Sequence, residues 1–541
     1  FNVSCFAGSR ATMIRTGKLC RQATLTDYIL VAVFVILLLV FIQRRGYLSQ
    51  VDNKLDLASR DGPIHRGPPS LRTHPNAILN LVDDRIKKIE DSREKECLKA
   101  QHSVTSKVSI IIQFFDYQFY DVKTTIGSVL HNTPKELIEE IIIVDDGTSL
   151  DYIKEDAKSY VTNIDKAKML ELRNKCNIGK AFMQAANVAK GDVLVFLDSS
   201  VIVNKGWLEP LLNVIKSDSH TIAVPHFDNI NDPVSYDYKF TPSNTVTEFS
   251  WSFSMRMTQQ LDNQDVLSPI SNPMLRGNAF AVDRSFFQTL NGFDEQIDES
   301  SGQYVELSLR TWMCGGSIKV VPCSKVGVLS LNHAVKVTSA VAIRRVVTLW
   351  LGDKGTYVYR STQVSQDMTD AEKESIKSRR RALDKMKCES FDWYLTNVGK
   401  NVYVPSADAQ TYGFLKCKTG RCARIGGDSR VDLGQCKADS YNLRNSEMML
   451  EYTDKKQVKY HGKCLEVLGS AYVVVADCRE NDTKQQFDFS NGKIINAWSR
   501  YCFMHVTDPD KNVTKGRQIM MAQDCGQDTS GEFSTWEFIN P

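Results

Sequence analysis

The apolar positions fall into three textures along the chain. Near its start "YILVAVFVILLLVFI", residues 28–42, is an unbroken apolar run of 15 residues. With the preceding "ATLTD" it reaches about 20, near the lower limit for crossing a bilayer core of about 30 Å. "QRRGYLSQ" follows, without a small-residue cleavage site, so an uncleaved signal anchor is expected rather than a signal peptide. A span this short suits the thinner membranes of the early secretory pathway. Residues 43–96 are polar and include "RDGPIHRGPPSLRTHP", the composition of a stem. Then come short continuous runs rich in β-branched residues: "VSIII" from Val108, "EIIIVDD" from Glu140 and "VLVFLD" ending at Asp198. Helical spacing separates them, as at Val122, Ile126, Val129 and Leu130 before Pro134. Buried strands alternating with helices predict a doubly wound, mostly parallel α/β sheet. Ligands bind such sheets beyond the carboxyl ends of the strands, where Asp145, Asp146 and Asp198 fall. Beyond about Tyr403 the third texture is short strands with a cysteine rhythm. Cys422, Cys464 and Cys502 recur roughly every 40 residues, each with a partner at Cys436, Cys478 and Cys525. Three such units predict a β-trefoil, with the aromatics of "QQF" (Phe487) and "STW" (Trp536) in its shared core.

A length of 541 residues implies two or three domains. The 67 basic and 64 acidic residues leave a net charge of +3, which offers nucleic acid no electrostatic footprint. The basic run "KSRRRALDKMK", residues 377–387, reads as a solvated helix face. Fourteen cysteines, most of them beyond residue 300, point to an oxidising compartment. Positive charge barely orients the span: Arg10, Arg15, Lys18 and Arg21 precede it, while Arg44, Arg45, Lys54 and Arg60 follow. The cysteines break the tie in favour of a lumenal C-terminus, and sequons at Asn481 and Asn512 agree. Because the chain opens on Phe1 rather than Met, a preceding segment is expected.

"EEIIIVDDGTS", "GDVLVFLDSS", "GWLEPLL", "AVDRSFFQTLNGFDE", "WMCGGSIKVVPCSKVG" and "CESFDWYLTNV", in this order before the cysteine-paired trefoil, resemble the polypeptide N-acetylgalactosaminyltransferases. The resemblance covers essentially everything after Cys97. It implies a GT-A glycosyltransferase domain at 97–400 and a ricin-type lectin domain at 403–541, behind a tail (1–27), an anchor (28–42) and a stem (43–96). It further implies a type II Golgi membrane protein that moves GalNAc from UDP-GalNAc to Ser or Thr of protein acceptors, with Mn²⁺ as cofactor. Disulfides Cys97–Cys323 and Cys314–Cys388 are implied too, with Cys176 and Cys417 left unpaired.

The same resemblance exposes departures. The family holds its metal with Asp-x-His after one strand and a His after a later one; here the positions read Asp198, Ser199, Ser200 and Val328. Hydroxyls are poor Mn²⁺ ligands beside imidazole, and valine is none. His226 and His333 are the histidines near enough in sequence to substitute, though core or surface roles suit both better. Trp-Gly-Gly-Glu-Asn becomes "SSGQY", so Gln303 and Tyr304 stand at catalytic positions. Asp145, Asp146, Lys175, Gly277 and Asn278 stand at nucleotide-sugar positions, where Asn278 replaces a second glycine. "FDY" (from Phe115), "KCNIGKAF" (from Lys175) and "WLGD" (from Trp350) replace further family motifs, whereas fold positions such as Trp207, Trp312, Gly315, Gly316 and Trp393 are kept. In the trefoil, the sugar-accepting Asp of each unit reads Arg424, Glu466 and Met504, of which Glu466 alone still accepts hydrogen bonds. Together these losses describe a family member impaired in metal-dependent transfer. The alternatives are an active, metal-independent transferase using Lys325, Lys336, Arg344 or Arg345, and a lectin-like adaptor.

Overall fold

The computed structural model describes residues 84–231, 238–239, 241, 245–259, 265, 267–277, 279–329, 335–436, 448–469, 471–508 and 517–539. The expected tail, anchor and most of the stem lie outside these residues, as do Asn278, His333 and Asn512. Among the described residues no helix is long and apolar enough to cross a membrane.

The strands of the first domain are β1 (Val108–Phe114), β2 (Ile138–Asp145), β3 (Ala167–Glu171), β4 (Val193–Leu197), β5 (Val201–Val203) and β6 (Thr221–Ile230). They continue as β7 (Tyr238–Lys239), β8 (Thr245–Ser250), β9 (Ser254–Gln259), β10 (Ile270–Ser271), β11 (Ala279–Asp283), β12 (Ser317–Leu329) and β13 (Val335–Lys336). The main sheet runs β10-β12-β6-β11-β4-β1-β2-β3. β1 pairs in parallel with both β2 and β4, and β2 with β3, which makes the amino-terminal half the parallel sheet the apolar runs predict. The other half differs. β11 is antiparallel to β4 and to β6, so the sheet is mixed rather than mostly parallel. β11 is entered from the small β13-β9-β8 sheet and the short β10 rather than through a helical crossover, so the chain returns in the opposite direction. The chain leaves β1 towards β2 on one side and returns to β4 on the other. This switch point opens a crevice at the carboxyl ends of β1 and β4.

Residues 84–96 do not behave as a free stem. Ser92 donates to Asp228 (3.1 Å), Asn204 donates to the carbonyl of Glu90 (3.1 Å), and Lys325 pairs with Glu94 (3.3 Å). The Cys97–Cys323 disulfide follows directly. Partners so distant in sequence are invisible to a compositional reading. The basic run divides too. Within the helix Asp370–Leu383, Arg379 turns inward to Asp294 and Glu306, while Lys377, Arg380 and Arg381 stay exposed.

All five disulfides implied above are formed: Cys97–Cys323, Cys314–Cys388, Cys422–Cys436, Cys464–Cys478 and Cys502–Cys525. Cys176 and Cys417 are free. The C-terminal domain is a twelve-stranded β assembly among the described residues. Its core joins Leu415, Leu433, Leu450, Val467, Phe503 and the two anticipated aromatics, Phe487 and Trp536. The connecting segment is fastened to both domains: Tyr403 donates to Glu451 (2.7 Å) and Tyr357 donates to the carbonyl of Pro405 (2.9 Å).

Candidate active site

The turn after β4 presents Asp198, half-buried, with Ser199 donating to its Oδ1 at 3.3 Å. Thr125 pins this turn by donating to the carbonyls of Ser199 (2.9 Å) and Val201 (2.8 Å). β12 runs antiparallel to β5 with Val328 directly opposite Val201, so position 328 borders the turn that carries positions 198 and 200. The chemistry has gone from two of them. Val328 is 3% exposed and belongs to the apolar core. Among the described residues no cluster of three His, Cys, Asp or Glu side chains is arranged to hold a metal ion. One carboxylate beside two hydroxyls and an isopropyl group does not fit Mn²⁺.

His226 does not fill the gap. It lies on β6 opposite Lys325 of β12, 1% exposed. The Thr241 hydroxyl donates to the carbonyl of Phe227 and so accepts from Nε2–H of His226 at 2.7 Å. Burial, reinforced by the Lys325 charge, pulls this imidazole down to about 3. The same cation disfavours a metal ion. Because the unfolded chain takes up the proton near pH 6.5 and the folded chain does not, stability present above that pH is lost as the solution is acidified. Between pH 6.5 and 5.5 the loss from His226 is expected to be about 1 kcal/mol. Urea midpoints of wild type and His226→Gln at the two pH values check this, the variant losing that increment of acid sensitivity.

Gln303 and Tyr304 sit on the helix Ser300–Met313. Gln303 is fully buried, and its amide donates to the carbonyls of Asp294 (2.7 Å) and Ile297 (2.9 Å). It lies against Gly179 of the "KCNIGKAF" segment, where an added Cβ would come within 2.3 Å of Nε2. The side chain therefore ties the 294–297 loop to this helix. Tyr304 is 8% exposed and packs edge-on to Phe280 and Phe293, with centroids 6.4 and 6.2 Å away. Its ring presses on Gly277, where φ is 98° and a Cβ would meet the ring at 2.4 Å. Burial pushes the phenol pKa up, and the nearby Asp198 charge adds to this. The bare backbone of Gly277 is thus covered by a side chain of the same protein.

The residues expected at nucleotide-sugar positions are engaged within the chain. Asp145, at the end of β2, accepts from the amide of Thr148 (2.8 Å). Asp146 accepts from Gln113 (3.1 Å) and from both the amide (2.8 Å) and thiol (3.1 Å) of Cys176. Burial and this carboxylate push the Cys176 thiol up to about 12, which keeps it a donor. Residues 174–175 lie on Gly147, leaving no room there for a Cβ. Lys175 is exposed, with its ammonium 3.8 Å from the centre of the Phe115 ring. Of the basic candidates, Lys325 pairs with Glu94, Arg344 with Glu372 (2.6 Å) and Arg345 with Asp294 (2.8 Å). In the trefoil, Glu466 is 8% exposed and takes Arg479 (2.7 Å) and Gln485 (3.1 Å). The sequence reading did not anticipate Cys176 as the fastener of Asp146, nor the contact of Tyr304 with Gly277. Neither leaves a local signal, since each joins residues about 30 apart.

Comparisons with known proteins agree with this architecture. The glycosyl transferase family 2 model matches residues 109–284, and the ricin-type beta-trefoil lectin domain model matches 411–531. The chain is 35% identical over 337 residues to the inactive polypeptide N-acetylgalactosaminyltransferase-like protein 5 of Mus musculus, covering 60% of this chain and 77% of that protein. It is 29% identical over 489 residues to polypeptide N-acetylgalactosaminyltransferase 16 of Homo sapiens, covering 86% and 85%. Its fold is similar to that in the crystal structure of GalNAc-T7 with UDP, GalNAc and Mn²⁺, with a TM-score of 0.56 at 21% identity over 89% of this chain and 92% of that one. With a family 2 transferase domain leading into a ricin-type trefoil, and with these relatives, the chain belongs to the polypeptide N-acetylgalactosaminyltransferase family.

Proposed function

We propose that this chain is a family member that no longer carries out Mn²⁺-dependent transfer of GalNAc from UDP-GalNAc to Ser or Thr. The observation that carries the reading is the surroundings of Asp198. Its would-be co-ligands are a hydroxyl and a buried valine, and the Tyr304 ring fills the adjoining space over Gly277. A metal that neutralises a leaving diphosphate supplies several kcal/mol of transition-state stabilisation, and each ~1.4 kcal/mol is tenfold in rate. The name of the mouse relative, an inactive family member, supports the same reading.

Metal-independent transfer is the weaker alternative, since Lys325, Arg344 and Arg345 are each held by an acidic partner. A sugar-reading trefoil is weaker too, because Arg479 and Gln485 occupy Glu466. In this reading the protein sits in the Golgi membrane, anchored by residues 28–42 with its C-terminus in the lumen. The five disulfides favour an oxidising compartment. What remains for it to do is binding, of protein partners or of a nucleotide sugar. UDP release from UDP-GalNAc by the full chain, with Mn²⁺ and with EDTA, tests the catalytic part of the proposal.

A further inference from the structure

The second trefoil unit contains Asn481-Asp482-Thr483, and its local structure leaves the asparagine open. Asn481 lies in left-handed backbone, φ 58°, on the exposed turn between the strand Tyr472–Ala476 and the short helix Thr483–Gln485. Among the described residues its side chain makes no hydrogen bond. The neighbours hold the turn instead. Asp482 accepts from the amide of Lys484 (3.0 Å) and pairs with Arg479 (2.8 Å), and Gln485 accepts from the amide of Arg479 (2.8 Å). Thr483 is exposed as well, and its carbonyl accepts from the amide of Trp498 (3.2 Å), a half-exposed residue whose ring centre lies 5.1 Å from the Lys484 ammonium. An open amide and an open hydroxyl two residues apart on an exposed turn form a coherent acceptor.

We propose that Asn481 carries an N-linked glycan. The amide nitrogen attacks C1 of an oligosaccharide borne on a lipid pyrophosphate. The N–C bond forms as the C–O bond to the pyrophosphate breaks, the lipid pyrophosphate leaves with the electron pair, and the amide gives up one proton. The glycan stands on the same segment that delivers Arg479 and Gln485 to Glu466, so this unit of the trefoil wears a sugar where a lectin would read one.

The inference rests on the lumenal orientation proposed above, and one sample separates the two. The full chain is produced in a eukaryotic secretory host and treated with the amidase that releases N-glycans and converts each glycosylated asparagine to aspartate. Peptide masses then report Asn481 and Asn512 individually, together with the state of Cys464 and Cys478. The expected result is aspartate at position 481 with Cys464–Cys478 bonded, and the loss of one glycan from Asn481→Gln on a gel. Unmodified Asn481 in chains whose Cys464–Cys478 bridge has formed would overturn the glycan and leave the orientation standing. Unmodified Asn481 with both cysteines reduced would overturn the two together.

Discussion

Arg310→Ala is expected to destabilise the transferase domain by about 3–5 kcal/mol, the cost of stranding a buried charge. Arg310 is fully buried. Its guanidinium donates to Glu306 through Nε (2.9 Å) and Nη2 (2.6 Å), and to the carbonyls of Leu290 and Gly292. Truncation leaves Glu306 charged inside the protein with, among the described residues, only the Trp350 indole N–H at 3.1 Å and Arg379 at 3.9 Å. Two carbonyls lose their donor at the same time. Arg345 offers no relief, being engaged by Asp294. Urea unfolding followed by tryptophan fluorescence measures the loss. The double variant Arg310→Met, Glu306→Leu is expected to recover most of it, since removing both charges also removes the stranded one. Equal costs for the single and double variants would mean that packing, not charge, holds the helix Ser300–Met313 in place. That helix matters because it presents Gln303 to the loop carbonyls and Tyr304 to Gly277.

A second large effect is expected at the turn after β4. Ser200→His with Val328→His should create a saturable Mn²⁺ site in calorimetry where the wild type gives none. The geometry favours it: position 328 faces Val201 across the β5–β12 pair, one residue from position 200, and Asp198 lies in the same pinned turn. Two imidazoles and a carboxylate are the ligand set the wild type lacks. Transfer should stay low in this variant, because the Gln303 amide remains on the 294–297 carbonyls and the Tyr304 ring remains over Gly277. Heats no larger than those of the wild type would mean that the turn no longer delivers Asp198 to the common point.

Much of this was legible in the sequence. The continuous apolar runs located β1, β2 and β4 because strands buried on both faces need no polar alternation. The spacing of Cys422, Cys464 and Cys502 marked a threefold repeat, and the apolar run before Asp198 placed that carboxylate at the end of β4. The pairings of Cys97 and Cys314 came from family resemblance alone, since spacing does not choose a partner 226 or 74 residues away. What stayed hidden has a common physical cause. The antiparallel entry of β11, the docking of Ser92 and Glu94, and the engagement of Asp146 by Gln113 and Cys176 all depend on partners supplied by tertiary packing. Tyr304 is the sharpest case. A tyrosine in a helix and a glycine before a strand are each unremarkable in sequence, and only the fold lays one on the other.

The most direct measurement is UDP release from UDP-GalNAc by the full chain, with a Ser/Thr-containing peptide acceptor, in Mn²⁺ and in EDTA, for wild type and Asp198→Ala. No release above the enzyme-free background is expected in either condition, and none that Asp198→Ala changes. Turnover that requires Mn²⁺ and disappears with Asp198→Ala would contradict the proposal, since it would mean that a single carboxylate still assembles a working metal site.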